Sequence, residues 1–292
     1  MKFLSFVWVL IVALYCGADA MAQVSADKPG WELRWRDEFN CGALNQSKWV
    51  PHYLGFRTTP DRSLALFDWS PTTIKLRIDK DKPLLYSPDV ATMRISSLQT
   101  SNAMIDQTRP TLNHSELPQV DKFSQLYGWF ECRCKQPAPQ SGVLTAFWMN
   151  PIDVNYLHPT AVVGGTRASM DESFEVDIVE WVGTQPNIMS TDTHFGLNLL
   201  ANQHEHVSID ARVDLSKDFH TYAVEWDETG LIWYLDGVER RRSAHAPKSA
   251  MFLYVSIMQA SGAWEGPVPE NPVYPIDFEI DYVRVYRKIP CE

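Results

Sequence analysis

Short apolar-rich runs, each closed by a turn signal, recur along this chain: "TTIKLRI", "YGWFECRCK", "VLTAFWM", "FEVDIVEWV", "HTYAVEW", "LIWYLDG", "MFLYVSI" and "DYVRVYR". They are rich in β-branched and aromatic residues and too short for a stable amphipathic helix, so they read as strands. Regular short strands with few helical periods restrict the fold to an all-β sandwich or barrel. In "HTYAVEWDETGLIWYLDGVERR", turn signals around Glu228 to Gly230 and at Asp236-Gly237 predict a three-stranded meander. No repeat with a period of about 20 to 50 residues and no low-complexity linker divides the chain. A single domain over residues 23–292 is therefore expected, a size that all-β domains reach.

The first residues, "MKFLSFVWVLIVALYCGADAMAQ", open with one lysine, continue as an apolar run from Phe3 to Tyr15 and end in small residues suited to cleavage after Ala20 or Ala22. This pattern reads as a secretory signal peptide over residues 1–22, and predicts a secreted or periplasmic protein. A lipid anchor at Cys16 is disfavoured by Tyr15 before it, where such processing prefers a small residue. The run is shorter than the roughly 20 residues a bilayer span needs, and no later segment comes closer. A net charge of -10 argues against nucleic acid and anionic membrane as partners. A soluble monomer is expected.

Of the five cysteines, Cys132 and Cys134 in "FECRC" lie two apart on a strand, with Cα atoms roughly 6.5 Å apart, a poor disulfide geometry. They read as core thiols. Cys41 and Cys291 lie near opposite ends of the mature chain, where export makes a bridge between them chemically possible.

The run "SFEVDIVEWV" places Glu175, Asp177 and Glu180 within six residues of one hydrophobic segment. On a regular strand Glu175 and Asp177 share a face while Glu180 points the other way. A one-residue β-bulge at Ile178 or Val179 would return Glu180 to the side of its companions. With the outer Cα atoms about 13 Å apart, two inward-leaning Glu side chains could bring their carboxyls to roughly 5 or 6 Å, near the separation of retaining glycosidases. Asp177 between them would help keep one Glu protonated at neutral pH. Two plainer readings compete: a solvated sheet face, and a calcium site, which side chains in line along one strand would surround poorly.

Here the residues carry a resemblance. "FEVDIVEWVG" is similar to the bulged Glu-x-Asp-x-x-Glu signature of family 16 glycoside hydrolases, shared by laminarinases, agarases, carrageenases and porphyranases. "WRDEFN", "SKW" at 47–49, "YGWFECRCK", "LTAFWM", "THFG", "FHTYAVEW", "WYLDGV" and "DYVRVYR" resemble further family stretches in family order, covering residues 31–288. The resemblance implies a two-sheet β-jelly-roll sandwich, of the concanavalin A-like type, with a substrate cleft on its concave sheet. It implies Glu175 as nucleophile, Glu180 as general acid and then base, and Asp177 as the hydrogen-bonding partner of the nucleophile.

The same resemblance marks Trp148 in "AFWM" and Trp264 in "GAWEG" as substrate-binding tryptophans, since sugar rings present apolar faces to aromatic platforms. It marks His194 in "THFG" as a neighbour of the acids or the sugar. Trp181 falls opposite Glu180 and reads as core. "HEH" at 204–206 has a spacing that suits a metal, but no third or fourth ligand is evident nearby, so an exposed loop is the favoured reading and no metal site is assigned. The run Arg240 to Arg242 ends a hairpin and reads as a solvated edge, with a sulfate subsite as the sharper alternative. Asp281 matches a family position that often helps hold a structural calcium, which leaves such an ion possible; no cofactor is required for the chemistry. Residues 151–173 read as a long structureless loop that could wall one side of the cleft.

The expected activity is a retaining endo-β-glycosidase acting on a polysaccharide, with β-1,3-containing glucan preferred over red-algal galactan. "SGAWEG" at 261–266 departs from the Gly-Gly-x-Trp-Pro-Gly stretch usual in laminarinases, which bears on subsite shape. A non-catalytic lectin-like receptor and a transglycosylase are the rival readings on the same fold.

Overall fold

Alternating inward apolar and outward polar side chains build two antiparallel sheets, seen in a computed structural model. It describes residues 26–53, 60–87, 90–102, 120–152, 162–163, 166–167, 173–195 and 203–290. The strands are β1 (Trp31–Asp37), β2 (Leu66–Trp69), β3 (Ile74–Ile78), β4 (Leu85–Ser87) and β5 (Val90–Gln99). Then come β6 (Gly128–Lys135), β7 (Val143–Pro151), β8 (Val162–Val163), β9 (Thr166–Arg167) and β10 (Ser173–Val182). They are followed by β11 (Ile188–Phe195), β12 (Gln203–His204), β13 (Val207–Asp210), β14 (His220–Asp227) and β15 (Gly230–Leu235). The last are β16 (Val238–Ser243), β17 (Met251–Gln259) and β18 (Ile276–Lys288). A single helical turn, α1 (Pro60–Ser63), is the one α-helix among the described residues.

The back sheet runs β16-β15-β14-β6-β18-β3-β2, with β1 also on β18; the site sheet runs β12-β11-β10-β7-β17-β5-β4, with β13 also on β11. Face to face they form a sandwich, one of the two architectures the strand pattern allows, and the jelly roll that the family resemblance implied. Inward residues of both sheets fill one core: Ile74, Leu76, Phe130, Val224, Trp233 and Phe278 from the back sheet meet Phe147, Val176, Trp181, Met189, Leu253 and Val255 from the site sheet. Trp181 is fully buried and donates its indole N–H to the Pro186 carbonyl. Cys132 and Cys134 are buried free thiols, as their spacing requires. Cys41 is disulfide-bonded; Cys291, like the leader at 1–25, lies outside the described residues.

The meander is present as β14-β15-β16, turning at Asp236 and Gly237 with φ of 52° and 75°, the pair of positive values a type I′ hairpin demands. The stretch 151–173 is not structureless throughout: β8 and β9 pair as a small hairpin within it, while the rest of its interior lies outside the described residues. Asp281 pairs with Arg133. A calcium ion at that carboxylate would have to compete with the guanidinium. No described helix is long and apolar enough to cross a membrane.

The arginine run needs correction. β16 is an edge strand, but alternation turns the middle residue inward: Arg241 is only 8% exposed. Its guanidinium lies over the Trp233 ring at 4.3 Å and donates to Thr191 Oγ1 at 2.9 Å, Thr193 Oγ1 at 3.3 Å and Glu205 Oε2 at 3.2 Å. It ties the back sheet to β11 through the interior. Arg242 behaves as expected of an edge, pairing with exposed Glu239.

Candidate active site

β10 carries one residue more than its neighbours can pair. Against β7, Asp177 lies opposite Trp148 while Val179 lies opposite Phe147, so Ile178 is left over. Against β11 the register slips between Asp177, opposite Asp192, and Glu180, opposite Ser190. This is the β-bulge that the acid spacing required, at one of the two expected positions. Its signature in packing is that two consecutive residues, Ile178 and Val179, both enter the core. The bulge is held from behind, where the Trp233 indole N–H donates to the Asp177 carbonyl at 2.9 Å. Beyond it Val182 packs on the outer face with Leu144, Ala146, Trp148, Met258 and Trp264, and Glu180, two residues before it, shares that face.

Three carboxylates, those of Glu175, Asp177 and Asp192, converge on one imidazole. His194, opposite Glu175 on β11, holds Nε2 3.6 Å from Glu175 Oε1, 3.5 Å from Asp177 Oδ2 and 3.8 Å from Asp192 Oδ2. Asn150 donates to Glu175 Oε2 at 3.2 Å. Asp177 Oδ2 is buried and accepts no hydrogen bond among the described residues. Asp192 is 4% exposed and receives His204 Nδ1 at 2.9 Å, with His206 Nδ1 at 3.5 Å. Burial is the main cause pushing the Glu175 carboxyl up to about 7, with the Asp177 charge adding to it and His194 and Asn150 opposing. Glu180 is held well above the usual carboxylate range, by burial first and then by the charges of Asp177 and Glu175. Asp177 is raised by burial, against the pull of His194. Such an arrangement keeps one carboxylic acid protonated beside another that ionises near neutrality, the division of labour of a two-carboxylate glycosidase.

The family model for Glycosyl hydrolases family 16 matches residues 97–284. This chain belongs to glycoside hydrolase family 16. The Glucan endo-1,3-beta-glucosidase A1 of Niallia circulans is 27% identical over 89% of this chain, which spans 38% of that protein. A Beta-glucanase of Rhodothermus marinus is 26% identical over 95% of this chain and 93% of its own length. Among solved structures, a GlcNAcα1-4Gal releasing endo-β-galactosidase from Clostridium perfringens superposes with a TM-score of 0.77 over 91% of this chain and 64% of that one. Its identity is 21%, so that likeness speaks for the fold alone.

The other residues of this family 16 chain marked from sequence also reach the outer face. The Trp148 ring lies parallel to Tyr254, with centroids 4.0 Å apart, and its indole N–H reaches Ser256 Oγ at 3.4 Å. Trp264 sits in the turn closed by the Gly262–Gly266 bridge, edge-on to His206 at 5.3 Å. The "HEH" segment is largely exposed, with residues 205–206 in the loop after β12 as expected, but it is not isolated from the acids. His204 pairs with His194 across the β11-β12 ladder and stacks on its ring at 5.5 Å, and both His204 and His206 approach Asp192. Asn150 and Asp192 were not legible as site residues, and the spacing of the two histidines was noted without a place in the site. The register-based partner of Asp177 was the one signal that could have pointed to Asp192, and it needs the β10-β11 pairing to be known first.

Raised carboxyl pKa values make a stability prediction. The folded chain retains protons that the unfolded chain releases, so the stability these groups contribute is full below the unfolded carboxylate range and is lost as pH rises through their folded values. Glu175 keeps 28% of its side-chain surface exposed, which tempers the effect. Glu175→Gln is expected to melt about 2–6 °C above the unmodified chain at pH 8, corresponding to about 1–2 kcal/mol, with the gap closing near pH 4. Thermal melts across that range check it; a gap that widens toward acid contradicts the electrostatics described above.

Proposed function

We propose that this chain is an exported, retaining endo-β-glycosidase that cuts a polysaccharide by double displacement, with β-1,3-containing glucan preferred over red-algal galactan. The observation that carries this reading is the bulge at Ile178, which sets Glu175, Asp177 and Glu180 on one face with Glu180 favouring its protonated form. Glu175 attacks the anomeric carbon as a carboxylate, and Glu180 donates its proton to the departing glycosidic oxygen. Water, deprotonated by the same Glu180, then releases the sugar from Glu175, so configuration is retained. Asp177 and His194 set the proton affinity of Glu175 from either side. Burial pushes Glu175 up to about 7 and holds Glu180 well above the usual carboxylate range, which favours the proton-bearing form that a general acid needs. Trp148 and Trp264 offer ring faces or edges to the sugars beside the acids.

Two carboxylates and a water suffice, so no cofactor is required. The names of the glucan-cleaving relatives support the glucan preference. The apolar leader from Phe3 to Tyr15 supports export. The test is reducing-end release by the purified chain from laminarin, mixed-linkage glucan, agarose, porphyran and carrageenan. Laminarin is expected to be cut internally, giving oligosaccharides before monosaccharide. Release from galactans only would overturn the glucan preference, and binding without release from any of them would leave a lectin-like receptor.

A further inference from the structure

The His-x-His pair at 204–206 is not used by the hydrolysis just described. Its sequence neighbourhood offers no further ligands, but the fold does. One ligand atom from each of Glu180, Asp192 and His206 lies within 4.8 Å of the others. His206 approaches Asp192 Oδ2 through Nδ1, while its Nε2 lies 3.2 Å from Ser208 Oγ. An imidazole held by its far nitrogen is the usual arrangement behind a metal-bound histidine. His204 reaches the same Asp192 oxygen at 2.9 Å. Asp192 itself is buried on β11, whose flanking Thr191 and Thr193 are fixed from beneath by Arg241.

Imidazole and carboxylate donors together suit zinc-like ions, whereas calcium and magnesium prefer all-oxygen sites. Donors around a tetrahedral ion at about 2.0 Å lie roughly 3.3 Å from one another. Rotation of the partly exposed Glu180 and His206 side chains by about 1–1.5 Å would close the set onto a stationary Asp192. We propose that Glu180, Asp192 and His206, with His204 beside them, bind one divalent transition-metal ion of the zinc type, which occupies the proton donor and so blocks turnover. The inhibitory consequence rests on the role given to Glu180 above; the binding does not.

The test uses the full chain, stripped with chelator and titrated with zinc chloride by calorimetry, and with Co²⁺ followed by visible absorption. One ion per chain is expected. His206→Ala should weaken binding by at least about tenfold, as should the near-isosteric His206→Gln if the alanine variant folds poorly. His220→Ala should leave it unchanged, because that imidazole sits on Asp236 at 2.7 Å and belongs to the back sheet. Absence of saturable binding, or binding that neither His206 variant weakens, would overturn the site. Should zinc bind as described to a chain that cuts no polysaccharide, the metal site stands and the hydrolase reading fails instead.

Discussion

Replacing Glu175 by Ala is expected to lower polysaccharide hydrolysis by at least about 10⁴-fold, and replacing Glu180 by Ala by about 10²- to 10⁴-fold. Loss of rate alone would not separate the two roles, but a small anion does. With an activated aryl β-glycoside, azide can occupy the space vacated by Glu175 and attack the anomeric carbon directly, giving a glycosyl azide of inverted configuration. In the Glu180→Ala chain the sugar is already on Glu175 when azide arrives, and two inversions leave retained product. NMR of the two azides assigns nucleophile and acid, and formation of either product itself shows that the variant making it is folded. The opposite stereochemical pattern, or unchanged hydrolysis by Glu175→Ala, would remove the basis of the proposed mechanism.

The second large effect lies far from these acids. Glu38 in "WRDEFN" and Arg284 in "DYVRVYR" form a bidentate pair, Nε to Oε1 at 2.9 Å and Nη2 to Oε2 at 2.8 Å, with the guanidinium 3.7 Å from the Tyr282 ring. Arg284 is 1% and Glu38 9% exposed. Arg284→Met should destabilise the fold by about 3–5 kcal/mol, because it strands a buried carboxylate. Arg36, 3.9 Å from Glu38 and itself 41% exposed, compensates weakly. Converting both members, Arg284→Met with Glu38→Leu, should recover most of that loss, since an apolar pair of similar volume needs no desolvated charge. Urea denaturation of the single and double variants measures this. A loss below about 1 kcal/mol for Arg284→Met would show that the pair is solvated in practice.

These two cases mark how far residue order reaches. The strands were legible because inward and outward positions alternate, and the bulge was legible because three acids on an otherwise apolar strand fit one face only if a residue is skipped. Arg241 was misread because it sits in a run of like charges, although the same alternation that exposes Arg242 sends Arg241 inward. Glu38 gave no sign of its role, since its partner lies at the far end of the chain and a buried ion pair has no local pattern. Asp192, His204 and His206 were hidden for a related reason. Asp192 and His206 meet Glu180, and His204 meets Asp192, through lateral pairing among β10, β11, β12 and β13, whose register depends on contacts distant in sequence.

The unpaired residue in β10 also gives the strand an unusual tolerance of length. Elsewhere in a sheet, losing one residue exchanges front for back in everything that follows. Here, with Ile178 and Val179 both turned to the interior, omission of either one restores plain odd-even order and still leaves every acid pointing outward. The geometry therefore has two spellings of different parity, and a chain can pass between them by a single deletion without ever presenting its carboxylates to the wrong side.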